Sequence, residues 1–281
     1  MDTDHDLHSA SHTLRRIAEN AARDVAPLIT AAFRSPMAVD AKRDVHDVVT
    51  AHDRAAEKHI RDAVMSEVPG SFFLGEEGGS AEGGRIGWIV DPIDGTANFA
   101  RGLAYWCISI AAVVDDVVVA GVVFDPIADN MFAADLGGAD LNGRALGPVA
   151  EGDDGVSTLL TSFPSAHDVD LLGDNAFTLL RTMTLRYRHV HSTGSGALNL
   201  AHVAAGWSDG TMGFDTSPWD VAAGAFILEQ AGGWFRGFRQ GHEVTAAHTA
   251  LDYVAGSGGS DHRVLLDALA NLSASIPAAG S

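Results

Sequence analysis

Residues 88–99, Trp-Ile-Val-Asp-Pro-Ile-Asp-Gly-Thr-Ala-Asn-Phe, decide the fold and carry the densest chemistry of the chain. The apolar run that begins at Ile86 has the length of a buried strand. Pro92 is predicted to end this strand, because proline cannot donate a hydrogen bond to a sheet ladder. Asp91 and Asp94 stand at the predicted strand end, where carboxylates are held stiffly and can supply the oxygen ligands that hard divalent cations prefer.

A glycine and a threonine follow the two acids. Gly95 allows the backbone to turn tightly and to approach a ligand closely, and Thr96 adds a hydroxyl group. We expect the N–H groups of both residues to meet an anion, so that one loop holds a metal, a phosphate and a water-orienting hydroxyl. The plainer alternative is a strand that ends in a polar turn, where Asp and Gly are common.

The surrounding sequence favours the functional interpretation. Asp-Pro-Ile-Asp-Gly-Thr-Ala-Asn-Phe after Trp-Ile-Val resembles the signature of the inositol monophosphatase family, which are magnesium-dependent, lithium-sensitive phosphomonoesterases. Ser-Pro-Trp-Asp-Val-Ala-Ala-Gly at 217–224, with Glu-Gln-Ala-Gly-Gly at 229–233 behind it, is similar to the second motif of that family. The resemblance covers roughly residues 11–275, with both motifs in the family's order.

The resemblance implies a set of metal ligands. These are the side chains of four acids and one carbonyl oxygen, which together would bind two or three Mg²⁺ ions: Glu76, Asp91, Asp94, Asp220 and the carbonyl of Ile93. Without the family, each acid also has an ordinary interpretation. Glu76 would lie in a solvated turn after an apolar run, and Asp220 would cap a helix.

Two further residues are implied to orient the attacking water. Thr50 is a suitable N-cap for a helix, and Asp53 then occupies the third helical position, where a capping-box acid is favourable. The same segment resembles the family's Asp-x-Val-Thr-x-x-Asp, in which the last Asp helps to orient water. The resemblance therefore assigns catalytic roles to Asp53 and Thr96, and Asp53 can also be a helix cap.

A strand that turns through glycines into a helix is predicted around residues 194–196. The N–H groups at such a helix start can bind anions, although a Gly-Ser-Gly sequence is often only a turn. The family has Gly-Thr/Ser-Ala-Ala here and uses it to contact the substrate. The resemblance thus implies substrate contacts from Gly194, Ser195 and Gly196, in addition to the loop formed by residues 94–96.

One position departs from the inositol-preferring members, which carry a Glu six residues before the Trp of the second motif. Here that position is Gly213, and Asp215 or Asp209 is a candidate replacement. We therefore predict broad or non-inositol preference, and a positive φ at Gly213 is the obstacle considered for a Gly213→Glu variant. Histidinol phosphate, fructose 1,6-bisphosphate and 3′-phosphoadenosine phosphate stay open as alternatives to inositol 1-phosphate. A non-catalytic metal-binding regulator is the third class of function.

The amino-acid composition and net charge limit the kinds of partner expected for this protein. The chain has 281 residues, is 46% hydrophobic and carries a formal net charge of −19. This charge argues against nucleic acid and anionic membranes as partners, and a phosphate substrate requires bound cations to invert the local field. The single cysteine, Cys107, is predicted to be a small core residue. With no signal peptide and no apolar run of membrane-span length, we expect a cytoplasmic protein, and the family resemblance makes a homodimer possible.

The chain is predicted to form two subdomains. We expect a disordered segment over 1–10, an α+β subdomain over 11–150 with two helices against an antiparallel sheet, an α/β subdomain over 151–275 with a mixed sheet, and a tail over 276–281. Alternating strands and helices favour a layered arrangement in the second half. The whole resembles the layered αβαβα sandwich of the inositol monophosphatase family.

Two local features of the first half also carry predictions. The first helix is expected over Ser11 to about Phe33, with Pro27 kinking or dividing it. Residues 34–46 then form a connection in which Lys42 is either a surface lysine or part of the mobile loop that the family places near its metals.

Overall fold

The computed structural model describes residues 3–35, 39–41, 48–81, 83–148, 154–259 and 261–275. Lys42, the segment around the predicted boundary at 150–151 and the predicted tail at 276–281 lie outside the described residues. In the described part of the chain, 3₁₀ turns cover Asp154–Val156 and Ala247–Thr249. The α-helices are α1 Thr3–Ala32, α2 Ala51–Glu67, α3 Thr96–Arg101, α4 Ala166–Leu172, α5 Asp174–Arg186, α6 Gly196–Ala204, α7 Pro218–Gln230 and α8 Arg263–Ser275.

The first half of the chain forms a large sheet preceded by a short two-stranded ribbon of β1 (Val39–Ala41) and β2 (Val48–Thr50). The strands of the large sheet are β3 Phe72–Gly75, β4 Gly79–Ala81, β5 Ile86–Asp94, β6 Cys107–Val114, β7 Val117–Asp125, β8 Asn130–Asp135, β9 Gly138–Leu141 and β10 Arg144–Ala145. Their spatial order is β10-β9-β8-β7-β6-β5-β3-β4.

The prediction of a purely antiparallel first sheet is wrong at one strand pair. Strand β3 pairs with β5 in parallel, whereas the other neighbouring strands are antiparallel. The reason is the short strand β4, which turns back along the outer edge of β3. The chain then returns to the opposite edge of β3, so β5 runs in the same direction as β3.

The second sheet is mixed, as predicted. Its strands are β11 Thr158–Thr161, β12 His189–Ser192, β13 Gly210–Gly213, β14 Trp234–Arg239, β15 His242–Val244 and β16 Asp252–Gly256. Their order is β12-β11-β13-β16-β14-β15. Strand β11 is parallel to both of its neighbours, and the remaining pairs are antiparallel.

The helices and sheets stack in five layers. Helices α1 and α2 cover one face of the first sheet, and α6 and α7 lie between the two sheets. Helices α5 and α8 cover the outer face of the second sheet, and α4 packs on α5. The predicted layered αβαβα fold is therefore confirmed, with two mixed sheets.

Strand β5 is buried on both faces of its sheet, which explains its continuous apolar sequence. Trp88 and Val90 join the core under α1 and α2, whereas Ile89 joins the core that α6 and α7 form with both sheets. This alternation follows from the period of two along a strand. The second core contains residues from both halves of the chain, so α6 and α7 tie the two predicted subdomains together.

Several predicted element boundaries are wrong. Helix α1 begins at Thr3 rather than Ser11, so residues 3–10, which were predicted to be disordered, are helical. Leu7 packs against the core one heptad before Leu14 and extends the apolar stripe. The helix also continues through Pro27 without division.

Strand β5 does not end at Pro92 but continues to Asp94. The register with β6 shifts between Asp91 and Asp94. Proline is tolerated at such an irregularity because the ladder is interrupted there. The two acids thus stand on either side of a bulge. No helix in the described part of the chain is long and apolar enough to cross a lipid bilayer.

Candidate active site

Three carboxylates converge where the first sheet meets the middle helix layer. Asp91 and Asp94 come from the end of β5, and Asp220 comes from the first turn of α7. Ligand oxygens of all three lie within 4.8 Å of one another. Asp91 and Asp94 are only 3% and 6% exposed. An all-oxygen set of this kind is the chemistry that Mg²⁺ prefers, so the residues fit a divalent cation.

Electrostatics at Asp91 support the same conclusion. Burial, together with the negative charges of Glu76, Asp94 and Asp220, raises the pKa of Asp91 well above its ordinary value. Its Oδ1 accepts a hydrogen bond from the N–H of Ile93 over 2.9 Å, which fixes the carboxylate inside the bulge. Like charges brought together without a cation repel, and a bound cation would relieve that repulsion.

Glu76 is placed beside this group rather than within it. It lies on the turn between β3 and β4, and its charge is the second strongest influence on the pKa of Asp91 after burial. Its oxygens are not part of the three-carboxylate cluster. The structure therefore brings three of the four predicted acidic ligands into one cluster and puts the fourth within electrostatic reach.

Glu57 is a supporting residue that the sequence interpretation missed. It is 3% exposed on α2, and its Oε2 accepts the N–H of Glu77 over 2.7 Å. Burial raises its pKa, while the hydrogen bonds from the N–H groups of Glu77 and Gly78 act in the opposite direction. Glu57 thus holds the turn that carries Glu76. Its position four residues after Asp53, on the same helix face, was the available signal.

The start of α6 holds Asp94. The hydroxyl of Ser195 donates to Oδ2 of Asp94 over 2.5 Å, and the N–H of Ala197 donates to the same oxygen over 2.8 Å. Burial raises the pKa of Asp94, and the hydrogen bonds from Ser195, Ala197 and the N–H of Gly196 lower it. Ser195 is 1% exposed. Its hydroxyl is therefore engaged with Asp94, whereas a direct substrate contact was predicted.

Asp53 and Thr96 form the pair that the family resemblance implied. Oγ1 of Thr96 donates to Oδ1 of Asp53 over 2.9 Å and also lies 3.0 Å from the carbonyl oxygen of Ile93. Asp53 is fully buried in the first turn of α2. A helix that covers the first sheet thus delivers a carboxylate to the loop that follows β5.

Asp220 caps its helix and also lies in the acidic cluster. Its Oδ2 accepts the N–H of Ser217 over 2.7 Å, within a capping box at the start of α7. The same carboxylate belongs to the acidic cluster. The capping bond fixes the side chain, so the helix terminus itself aims Asp220 at Asp91 and Asp94.

The backbone at Gly95 can be occupied only by glycine without strain. Its φ is +97°, and a Cβ there would lie 3.0 Å from the carbonyl oxygen of Tyr105. Asn98, in the same loop, donates from Nδ2 to the carbonyls of Tyr105 and Thr193, each over 2.8 Å. Asn98 therefore ties the loop after β5 to the segment before α6, a role that its position in the motif did not reveal.

A cavity of about 220 Å³ opens beside the acidic cluster. Gly194 and Gly196, two of the three predicted substrate contacts from this turn, line it. The full lining comprises Asp94, Ser162, Phe163, Ser165, Asp168, Gly194, Gly196, Asn199, Met212, Gly213, Phe214, Asp215, Thr216, Asp220 and Tyr253.

The positive φ considered for Gly213 is not observed. The residue is not in the left-handed region, and the obstacle to a side chain is Tyr253, whose Cε1 would lie 2.3 Å from an added Cβ. Of the two acids considered as replacements, Asp215 lines the cavity. Asp209 does not, and its Oδ2 accepts the N–H of Thr158 over 2.7 Å.

The fold and the acids define a layered protein with a candidate divalent-cation centre beside a small cavity. The sequence model described as the inositol monophosphatase family matches residues 10–277. The chain therefore belongs to this family of magnesium-dependent phosphatases, which confirms the resemblance found in the two motifs.

Individual relatives support this membership. The protein is 38% identical over 237 residues to the Nus factor SuhB of Pseudomonas aeruginosa, with coverage of 81% of this chain and 86% of the relative. It is 38% identical over 193 residues to the inositol-1-monophosphatase of Rhizobium meliloti, with coverage of 67% and 71%. Its structure matches the IMPase of Thermotoga maritima with a TM-score of 0.79, at 29% identity, covering 92% of this chain and 97% of the other.

Proposed function

We propose that the protein hydrolyses a small phosphate monoester, similar to inositol 1-phosphate, by attack of a metal-activated water. The observation that carries the proposal is the acidic cluster of Asp91, Asp94 and Asp220 next to the Thr96–Asp53 hydrogen bond. Together they would supply a cation site and a water-orienting pair, and two of the acids, Asp94 and Asp220, also line the cavity.

The residues that would hold Mg²⁺ are Asp91, Asp94 and Asp220, with Glu76 and the carbonyl of Ile93 completing the set for two or three ions. When bound, the ions would lower the pKa of a water and stabilise the charge that develops on the attacking and leaving oxygens. The capping bond at Asp220 and the α6 contacts at Asp94 keep these carboxylates oriented before any ligand arrives.

Thr96 is suited to orient the water because its hydroxyl hydrogen is donated to Asp53. A hydroxyl has a single hydrogen to donate, and the carboxylate of Asp53 is a stronger acceptor than the carbonyl of Ile93. With that hydrogen directed to Asp53, the lone pairs of Oγ1 are left to accept a hydrogen from water. Asp53 therefore acts by fixing the direction of the Thr96 hydroxyl.

The N–H groups of Gly95 and Thr96 are proposed to bind phosphate oxygens, and the cavity beyond them to receive the alcohol. Gly194 and Gly196 line that cavity, which supports a substrate contact through their backbone. A cytoplasmic location and a homodimer remain predictions.

A non-catalytic role is the competing class, and the name Nus factor attached to several relatives keeps it in view. No contact among the described residues favours that role over hydrolysis. The catalytic and non-catalytic roles can be told apart by measuring turnover, because only hydrolysis depends on an intact acidic cluster.

The test is turnover of a panel of small phosphate esters in excess Mg²⁺, with Asp94→Asn as the comparison. We expect hydrolysis by the unaltered protein and loss of nearly all turnover in Asp94→Asn, with a thermal midpoint that shows a folded variant. Hydrolysis that is equally fast in Asp94→Asn would refute the assignment of the site. Absence of turnover with every ester would favour the non-catalytic class.

A further inference from the structure

The charged residues that line the cavity all have the same sign. We infer that Asp215 selects substrates by the charge of the alcohol: the site favours a monophosphate whose alcohol carries a cationic group, accepts a neutral one and rejects a second anionic group. This inference rests on the proposed phosphatase function and specifies the substrate class for the same site.

The lining of the cavity contains no cationic side chain among the residues that the structure describes. Its four charged residues are all acids, and two of them, Asp94 and Asp220, belong to the cation site. The other two, Asp168 and Asp215, are left for the alcohol end. A second phosphate or a carboxylate on the substrate would therefore meet negative charge without a compensating Lys or Arg.

The acids of this wall also act on one another. Burial raises the pKa of Asp168, and the charge of Asp215 adds to that effect. Asp252, which lies behind the wall and is 2% exposed, shows the same combination of burial and repulsion from Asp215 and Asp168. Three neighbouring carboxylates thus lie at this end, and Asp215 is the most exposed of them.

Asp215 is held firmly enough to act as a selector. Its backbone N–H donates to Oδ1 of Asp252 over 3.1 Å, and its Oδ2 lies 3.0 Å from Nε2 of His167. Its φ of +49° is in the left-handed region, which Asp and Asn adopt more readily than other side chains. Asn can therefore replace Asp215 with little backbone cost, removing the charge while keeping the shape.

The uncharged part of the wall combines polar residues (Ser162, Ser165, Asn199 and Thr216) with an apolar side, and neither offsets the charge of the acids. Phe163 and Phe214 lie edge to face with ring centroids 5.8 Å apart, and Met212 completes this side. Charge–charge interactions are stronger beside low-dielectric surfaces than in bulk water. A charge on the substrate alcohol is therefore felt more strongly here than in an open, fully hydrated site.

The experiment uses three esters of equal chain length that differ in their terminal group: 3-aminopropyl phosphate, 3-hydroxypropyl phosphate and 3-(phosphonooxy)propanoate. kcat/KM is measured for each at pH 8 in saturating Mg²⁺, with the unaltered protein and with Asp215→Asn. We expect the order amine, hydroxyl, carboxylate in the unaltered protein. Asp215→Asn should lower the amine-to-carboxylate ratio about tenfold, equivalent to about 1.4 kcal/mol. Comparing ratios cancels the intrinsic reactivity of each ester.

The matched control is Asp267→Asn, which removes the same charge from an exposed position on α8 outside the cavity. It should leave the ratio within about twofold of the unaltered protein's value. An amine-to-carboxylate ratio that does not change in Asp215→Asn overturns the inference. Equal kcat/KM for all three esters in the unaltered protein also overturns it, and that result needs no variant. If no ester is hydrolysed, the proposed function fails and this inference falls with it, whereas hydrolysis without discrimination refutes this inference alone.

Discussion

The hydroxyl of Ser195 donates to Oδ2 of Asp94 over 2.5 Å and so joins the start of α6 to the end of β5. Groups that hydrogen-bond a metal ligand typically change metal affinity by about 10–100-fold when removed. Ser195→Ala should therefore weaken Mg²⁺ binding by about tenfold while leaving the protein folded. Calorimetric titration with Mg²⁺ measures the affinity directly, without relying on turnover.

Ser195→Thr is the control for this prediction, because it retains the hydroxyl and threonine is also a good N-cap. It should bind Mg²⁺ nearly as tightly as the unaltered protein. If Ser195→Ala and Ser195→Thr bind Mg²⁺ equally, the hydroxyl contact with Asp94 has no role in the cation site.

The Thr96–Asp53 hydrogen bond predicts a coupled loss of activity. Thr96→Ala and Asp53→Asn should each lower kcat more than they raise KM, by about 100-fold, since orientation of water matters mainly in the transition state. The double variant should be little worse than either single one, because both residues serve the same water. Thr96→Ser keeps a hydroxyl and should retain most activity. Fully multiplicative losses would mean that Asp53 acts only as part of the helix start.

Gly213 should not tolerate a side chain. An added Cβ would lie 2.3 Å from Cε1 of Tyr253, which is 1% exposed and has little freedom to move. Overpacking of this kind typically costs about 1–3 kcal/mol, so Gly213→Ala should lower the thermal midpoint, and Gly213→Glu more so. Gly147→Ala is the matched control, because nothing lies within 4 Å of its added Cβ. A Gly213→Glu variant as stable as the unaltered protein would contradict this prediction.

Because His202 is buried, we expect the protein to lose stability as the pH decreases below about 6.5. Burial lowers its pKa to about 4, and its ring packs against Tyr105 and Trp207. An unfolded chain would protonate this imidazole near pH 6.5, so the unfolded state binds more protons between about pH 6.5 and 4. Stability is thus complete above that window and falls as pH decreases through it, by on the order of 1–2 kcal/mol at pH 5.

Urea unfolding at pH 7 and pH 5 tests this window. The difference in the free energy of unfolding between the two pH values should be smaller in His202→Gln, because Gln does not titrate. The buried acids contribute equally to both proteins and cancel in the comparison. An identical pH dependence in the two proteins would show that His202 is not responsible.

The acidic loop after β5 was predictable because its signals are local. A strand-length apolar run, a proline and two acids before Gly95 occupy adjacent positions, so spacing alone predicts where carboxylates collect. The same holds for the capping position of Asp53 and for the helix start at Asp220. The boundaries of the elements were less predictable. A proline ends a strand in most contexts, but a bulge at Pro92 allows β5 to continue to Asp94.

The contacts between distant segments were not predictable in the same way. Glu57 supports the turn that carries Glu76 only because α2 packs beside β5, and no local pattern reports that packing. Ser195 resembles a substrate contact in the sequence, yet the start of α6 turns its hydroxyl towards Asp94. At Gly213 the obstacle to a side chain is steric and not the positive φ that was considered, because the ring of Tyr253 reaches this position from another strand.

By itself the sequence indicated the kind of chemistry and the layered fold through two motifs that resemble those of the family, and it indicated the helices and strands through its hydrophobic period, which is a property of neighbouring residues. The tertiary structure alone decided which groups share the site and which of them line the cavity. Asp220 meets Asp91 and Asp94, and Asp215 faces the cavity, because α6 and α7 are buried between the two sheets. Their burial is driven by apolar surface contributed by both halves of the chain, and only that packing sets the distances on which the chemistry depends.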